Sequence, residues 1–275
     1  MRSMPHEPGG EKHRATVRAS FDKQAVEFSE SPVMTDAAAL ARLVAWAGVA
    51  GSERVLDVAC GPGLVAAAFT PHAASVVGVD LTPAMLARGR AIVGERGIRN
   101  VAFVMADVER LPFPDQSFER VVSRRAFHHF PDPAPVLTEM ARVCAAGGAI
   151  VIEDQAPPAD ATAADAMTAI DRLRDPSHTR AVDPGAWTAL CAANGLALER
   201  VWLSSLELGA SVRFRLELGA GEPTIEGRAR VVRAGDGDER GVVFEQISSA
   251  NRQRLIRFIF DRQRAALAKT RGRRR

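Results

Sequence analysis

Between Val55 and Val65 the chain reads Val-Leu-Asp-Val-Ala-Cys-Gly-Pro-Gly-Leu-Val. Val55, Leu56 and Val58 predict a short buried strand. Gly61 and Gly63 predict a tight turn, because glycine accepts positive φ without a steric penalty, and the apolar stretch that follows predicts a helix. A strand, a glycine turn and a helix in that order constrain the fold more than any other feature, since they open a sheet of the α/β kind. Ligands of such sheets sit beyond the carboxyl ends of the strands, and bare backbone at a helix N-terminus lets a nucleotide-like group approach the N–H groups closely. The segment from Gly61 to Ala66 also fits the G-x-G-x-x-G/A dinucleotide pattern. By itself, the turn therefore leaves a nicotinamide cofactor open.

The following segments narrow the choice. A second apolar strand over residues 75–79 ends in Asp80, and a third over residues 101–105 ends in Ala106-Asp107. Two strand ends with acids suit a ligand that carries a ribose diol and an adenine, because one carboxylate can accept two hydroxyl hydrogen bonds and another the adenine amine. Further strands are expected at residues 118–123, 149–152 and 196–203. Helices are expected at 17–28 and 35–46, with Thr35-Asp36 as a cap, and from Thr82-Pro83 to about Glu95. Others are expected at 133–144, ended by residues 145–148, at 161–173, and at 183–194, closed by Gly195. Residues 1–16 are polar and expected to be disordered.

The ordered series of motifs resembles the class I S-adenosylmethionine-dependent methyltransferases, and more narrowly the small-molecule group that includes the ubiquinone and menaquinone C-methyltransferases. It comprises residues 55–63, Val77-Gly78-Val79-Asp80-Leu81-Thr82-Pro83-Ala84-Met85-Leu86, Ala106-Asp107-Val108-Glu109-Arg110-Leu111-Pro112-Phe113, Ser117-Phe118-Glu119-Arg120-Val121-Val122-Ser123, Ala126-Phe127-His128-His129-Phe130 and Ala146-Gly147-Gly148. The resemblance runs from about Phe21 to about Trp202. It implies a Rossmann-like doubly wound sheet, S-adenosylmethionine as cofactor, and in-line methyl transfer to a small-molecule acceptor. It also implies cofactor contacts at Asp57, Ala59, Gly61, Gly63, Asp80, Leu81, Asp107, Val108, Ser123 and Arg124, with Arg124 facing the methionine carboxylate or else forming a surface ion pair at the strand end. Phe21 and Phe28 would lie in a helical cover over the cofactor, or simply anchor that helix to the core.

Ala59 departs from the family, which carries a glycine there. Asp107 and the helices ahead of the first strand argue against the nicotinamide-dependent oxidoreductase. His128 and His129 are pocket candidates beyond the fourth strand. No essential base is expected of them, and no metal site, because no third ligand stands at helical spacing. Glu153 and Asp154 end the fifth strand, facing the acceptor or opening a solvated loop.

From about Leu206 the pattern changes to short alternating strands, 212–218, 224–233 and 241–244, followed by an amphipathic helix after Ser248-Ser249. Leu208-Gly209, residues 226–232 and Gly241-Val242-Val243-Phe244 resemble the C-terminal half of a PilZ domain. That family holds cyclic di-GMP through an R-x-x-x-R stretch and a D/N-x-S-x-x-G turn. Neither precedes Leu206 here, so cyclic di-GMP binding is not expected. The expected division is a disordered start (1–16), a methyltransferase domain (17–205), a PilZ-like segment (206–268) and a basic tail (269–275). The segment is too small to stand alone comfortably, so residues 206–268 are expected to fold against the methyltransferase domain, and a homodimer formed through them is a further expectation. A non-catalytic regulatory protein is the remaining alternative.

Composition adds few constraints. The formal charge is +3 and five cations fall in Lys269, Arg271, Arg273, Arg274 and Arg275, so subtracting these five leaves the rest of the chain at −2. The basic end reads as solvated, and no nucleic-acid partner is expected. The three cysteines, Cys60, Cys144 and Cys191, lack metal spacing and read as reduced thiols. No run of about 18 apolar residues exists, and the polar start predicts no signal peptide and a cytoplasmic location.

Overall fold

The computed structural model describes residues 8–158, 161–198, 211–216, 225–233 and 240–246. The chain forms two compact units, Met1–Val201 and Trp202–Arg275. The first begins with two helices, α1 (Pro8–Glu30) and α2 (Ala37–Ala47), ahead of strand β1 (Arg54–Val58). Then come α3 (Leu64–Phe69), β2 (Ser75–Asp80), α4 (Pro83–Glu95), β3 (Val101–Met105), β4 (Phe118–Arg124), a 3-10 turn (Phe127–His129), α5 (Ala134–Val143) and β5 (Cys144–Glu153). Two further helices, α6 (Ala161–Arg174) and α7 (Pro184–Ala193), follow.

The strands form one parallel sheet in the order β3-β2-β1-β4-β5. Successive residues of β1 face opposite layers. Leu56 and Val58 pack with Val121, Phe127, Val136 and Met140 on one side, and Val55 packs with Leu43, Val65, Phe69 and Val76 on the other. Burial of both faces explains why the strands read as unbroken apolar runs rather than as alternation. Order reverses at β1, whose neighbours are β2 and β4, and a crevice opens at such a reversal beyond the strands' carboxyl ends.

Local signals set the helix ends. The Asp36 carboxylate accepts from the backbone N–H of Ala38 and Ala39, and Gly48 closes α2 at φ 60°. Asp183 accepts from Gly185 N–H at the start of α7. Thr82 occupies the N-cap of α4, but its hydroxyl makes no capping bond to the helix.

Four expectations are revised. α1 starts at Pro8, so residues 8–16 are helical where disorder was expected. Cys144 opens β5 rather than ending α5, and residues 145–148 lie within that strand, where pairing with β4 shifts register between Phe118 and Arg120. Residues 196–198 are not strand, and the rest of that expected strand lies outside the described residues. In the second unit β6 (Ser211–Leu216), β7 (Ile225–Arg233) and β8 (Arg240–Gln246) form an antiparallel sheet in that order. The helix expected after Ser249 and the basic tail lie outside the described residues. Among the described residues, no helix is long and apolar enough to cross a membrane.

Candidate functional site

The crevice at the strand ends is lined by Ala59, Cys60, Gly61 and Pro62 of the glycine turn, Asp80, Leu81 and Thr82 after β2, and Asp107, Val108 and Glu109 after β3. Arg124 at the end of β4 and Arg125, Ala126, His129 and Phe130 after it line the crevice, and Gly10, His13, Arg14, Val17, Phe21 and Phe28 line it from α1. Val17, Phe21 and Phe28 recur at spacings of four and seven residues, one stripe of a helix.

Polar contacts hold α1 across the strand ends. The Arg14 guanidinium reaches Glu109 at 3.1 Å and Asp107 at 3.4 Å, and His13 Nε2 lies 2.7 Å from the His129 carbonyl. Lower down, Arg88 donates to Ser29 Oγ at 2.9 Å. His13 and Arg14 fall in the polar start, where the sequence predicts disorder. Their helical spacing, four and three residues before Val17 and eight and seven before Phe21, is the signal that places them on the same stripe.

Asp80 is the best-held acid of the site. Its two oxygens accept from Gly61 N–H at 2.8 Å and Thr82 N–H at 2.9 Å, which fixes the carboxylate against the glycine turn. Burial pushes its pKa up, and the hydrogen bonds from Thr82 and Gly61 offset part of that rise. Asp107 lines the crevice as expected and accepts from Glu109 N–H at 3.0 Å. Ala59 adopts φ +56°, a left-handed conformation that is unfavourable by roughly 1–2 kcal/mol for a residue with a Cβ, so glycine would suit the position better.

Three of the expected contacts, Asp57, Gly63 and Ser123, are not among the residues that line the crevice, and a fourth, Arg124, lines it with its guanidinium engaged by protein groups. Asp57 lies beneath the turn, 1% exposed, and its Oδ2 accepts from Ala66 N–H at 2.9 Å in the first turn of α3. Burial raises its pKa to about 8, opposed by the Ala66 hydrogen bond and reinforced by Asp80. Gly63, at φ +70°, leaves room for Phe103, whose ring would lie 2.5 Å from a Cβ there. Gly78 and Gly89 border the same ring, with Cβ distances of 2.9 and 3.1 Å. Ser123 donates its hydroxyl to the Val58 carbonyl at 2.9 Å, just beyond the last paired residues of β1 and β4. Arg124 does line the crevice. Its guanidinium, however, is engaged by Glu153 at 2.8 Å and by the carbonyls of Val33 and Met34 at 3.1 and 3.2 Å. Its charge ties β4 to β5 and to the α1–α2 connection.

Of the paired histidines, His129 lines the crevice and His128 does not. His128 faces Asp154 through Nδ1, and Asp154 Oδ2 accepts from His128 N–H at 3.1 Å. Burial works to raise the Asp154 pKa, but hydrogen bonds from His128 and Gln155 outweigh it and hold the acid below its usual range. The solvated-loop alternative for Asp154 is thereby excluded. His129 Nδ1 lies 3.0 Å from Ser177 Oγ. Burial, with His128 and His178 nearby, lowers the His129 pKa to about 3, so the ring is a poor proton acceptor at neutral pH. The third imidazole, that of His178, arrives from the loop after α6, its ring centroid 4.6 Å from both of the others. Sequence spacing could not show it, since it lies some fifty residues away along the chain.

Comparison with known proteins then decides the family. A Bacillus subtilis protein described as the uncharacterized methyltransferase YcgJ is 34% identical over 186 residues, spanning 68% of this chain and 74% of its own. The chain is an S-adenosylmethionine-dependent methyltransferase. The methyltransferase-domain family model matches residues 56–152, the run from β1 through β5. The crystal structure of YcgJ superposes on the methyltransferase with TM-score 0.57 at 33% identity, over 64% of this chain and 72% of that one. A methyltransferase structure from Bacillus halodurans gives 0.58 at 34% identity, over 65% and 74%. The demethylmenaquinone methyltransferase of Thermus thermophilus is 41% identical over 108 residues, and the ubiquinone/menaquinone C-methyltransferase UbiE of a Geobacter strain 40% over 115. Each of these matches covers 49% of the relative. The PilZ-domain model matches residues 192–261, starting ahead of the resemblance seen at Leu206.

Proposed function

We propose that the acceptor of this methyltransferase is a small molecule taken up beneath α1, and that the crevice holds the cofactor through Asp80, Gly61, Leu81, Asp107 and Val108. The observation that carries this reading is the position of α1, which places His13, Arg14, Val17 and Phe21 over the strand ends. A folded macromolecule would have to displace that helix to reach the same space, whereas a small molecule needs only a path around it. Asp80, already aimed by two backbone N–H groups, has lone pairs left for a ribose diol. Asp107 is offered to an amine, and Leu81 and Val108 give apolar faces to a flat ring.

When bound, the cofactor supplies an electrophilic sulfonium methyl, so the protein contributes placement and exclusion of water more than acid–base chemistry. Phe21, Phe28 and Phe130 make the wall around the transfer position apolar. His129, with its depressed proton affinity, shapes that wall and is not assigned the role of base. Incubating the enzyme with methyl-labelled cofactor and fractionated cell extract tests the reading, with mass spectrometry of the products. Label is expected in small molecules, and label confined to protein or nucleic acid would refute it.

The PilZ-like segment is assigned an accessory role without cyclic di-GMP binding, on the ground that residues 192–205, the part of the matched range ahead of Leu206, contain neither the arginine pair nor the serine turn of that family. A titration of the intact protein should give no calorimetric signal, and micromolar affinity would reverse this assignment.

A further inference from the structure

We propose that His128, His129 and His178 form a binding site for one divalent transition-metal ion of the zinc or cobalt type. All three side chains are buried, and one nitrogen from each ring lies within 4.8 Å of the other two. They come from two separate segments, the turn after β4 and the loop after α6, which are stitched together by Thr179. Its N–H and its hydroxyl each donate to the His128 carbonyl at 2.8 Å, and the hydroxyl also reaches the Phe130 carbonyl at 3.0 Å. The rings are therefore held in place by backbone contacts and not merely gathered by collapse.

Hydrogen bonding assigns the tautomers. Ser177 Oγ donates its single proton to Asp175 Oδ1 at 2.7 Å. Its contact with His129 Nδ1 must then be one in which the ring donates, which leaves the lone pair on Nε2. The Asp154 carboxylate likewise accepts from His128 Nδ1–H, and Asp171 stands 3.6 Å from His178 Nδ1. His128 and His129 thus commit Nδ1–H to an acid, directly or through a serine, with Nε2 left to give, and His178 has a carboxylate near Nδ1 without a hydrogen bond to it. An imidazole that donates Nδ1–H to a carboxylate and presents Nε2 is the usual outer arrangement of a metal-bound histidine.

Distance is compatible with an ion. Tetrahedral coordination at about 2.0–2.1 Å places ligand nitrogens about 3.4 Å apart, so the rings would close by about 1.4 Å at most. Charge near the rings is mixed. Asp154, Asp171 and Asp175 lie closest to them, and the neighbouring cations are Arg125 beside Asp154, Arg174 at 3.7 Å from Asp171, and Arg172, whose Nε donates to the His178 carbonyl at 3.1 Å. Neutral imidazoles suit zinc, cobalt, nickel and copper better than magnesium or calcium. Of the three rings, only His129 lines the crevice, so the ion would stand at its wall.

The test uses the full-length protein, freed of any affinity tag and treated with chelator, titrated with Co²⁺ and followed by visible absorption. One equivalent should bind at micromolar or tighter affinity, with the intense bands of four-coordinate cobalt. His178→Ala should abolish those bands, Asp154→Asn should weaken binding by about 10–100-fold, and His72→Ala, an exposed position, should leave it unchanged. In case His178→Ala does not fold, ring correlations of the wild-type histidines read by NMR during Zn²⁺ addition give an independent answer. Three of the six should shift together and saturate at one equivalent. Binding no tighter than millimolar, binding that survives in a folded His178→Ala protein, a thiolate charge-transfer band, or shifts confined to the other histidines would each overturn the proposal.

Discussion

Replacing Asp80 by asparagine tests the centre of the site with almost no change of volume. In the wild type, one carboxylate oxygen accepts from Gly61 N–H at 2.8 Å and the other from Thr82 N–H at 2.9 Å. An amide can satisfy only one of these donors with its oxygen, and its NH₂ group turns toward the other, where it also withdraws an acceptor from a ribose hydroxyl. A hydrogen bond to a charged group contributes about 1.5–3 kcal/mol, so cofactor affinity should fall by about 10- to 150-fold at 1.4 kcal/mol per decade. Calorimetric titration with S-adenosylhomocysteine reads the affinity, and thermal unfolding of the same samples shows whether the turn itself has been lost. Burial raises the Asp80 pKa, so wild-type affinity should weaken on acidification earlier than an ordinary aspartate would allow, and Asp80→Asn should lack that dependence. Affinity within twofold of wild type in a folded variant would refute the reasoning.

Gly63→Ala should destabilise by about 2–5 kcal/mol, combining left-handed strain of about 1–2 with overpacking of about 1–3 against Phe103. Gly97→Ala, at φ +65° with nothing within 4 Å, should lose only the backbone part, and equal losses in urea unfolding would remove Phe103 from the explanation. Asp57 has a folded pKa of about 8 against an ordinary 3.8, so the folded state binds the extra proton between those values. Its contribution to stability is complete below about pH 4 and is lost as pH rises toward 8. Asp57→Asn, which keeps an acceptor for Ala66 N–H, should flatten that slope, and parallel pH profiles would contradict the assignment. Arg14→Ala removes contacts to Asp107 and Glu109 and should speed dissociation of S-adenosylhomocysteine in stopped flow. An unchanged rate would mean that α1 does not retain the ligand.

The sequence by itself determined the parallel sheet, the glycine turn, the acids at the ends of β2 and β3, and the cap at Asp36. All of these follow from residues within a few positions of one another: runs buried on both faces, glycine where φ is positive, carboxylates beside free helix N–H groups. The family followed from the order of those motifs along the chain. Only the tertiary structure decided which side chains of the motifs face the crevice. Gly63 and Asp57 stand in the right motif and serve packing beneath the turn, because Phe103 and the first turn of α3 reach them from other segments. Arg124 is a strut because β5 and the α1–α2 connection bring Glu153, Val33 and Met34 to it. The histidine trio exists only because the loop after α6 folds back on the turn after β4, bringing together residues about fifty apart. Local patterning carries no information about such contacts, since whether two distant segments meet depends on how the whole core packs.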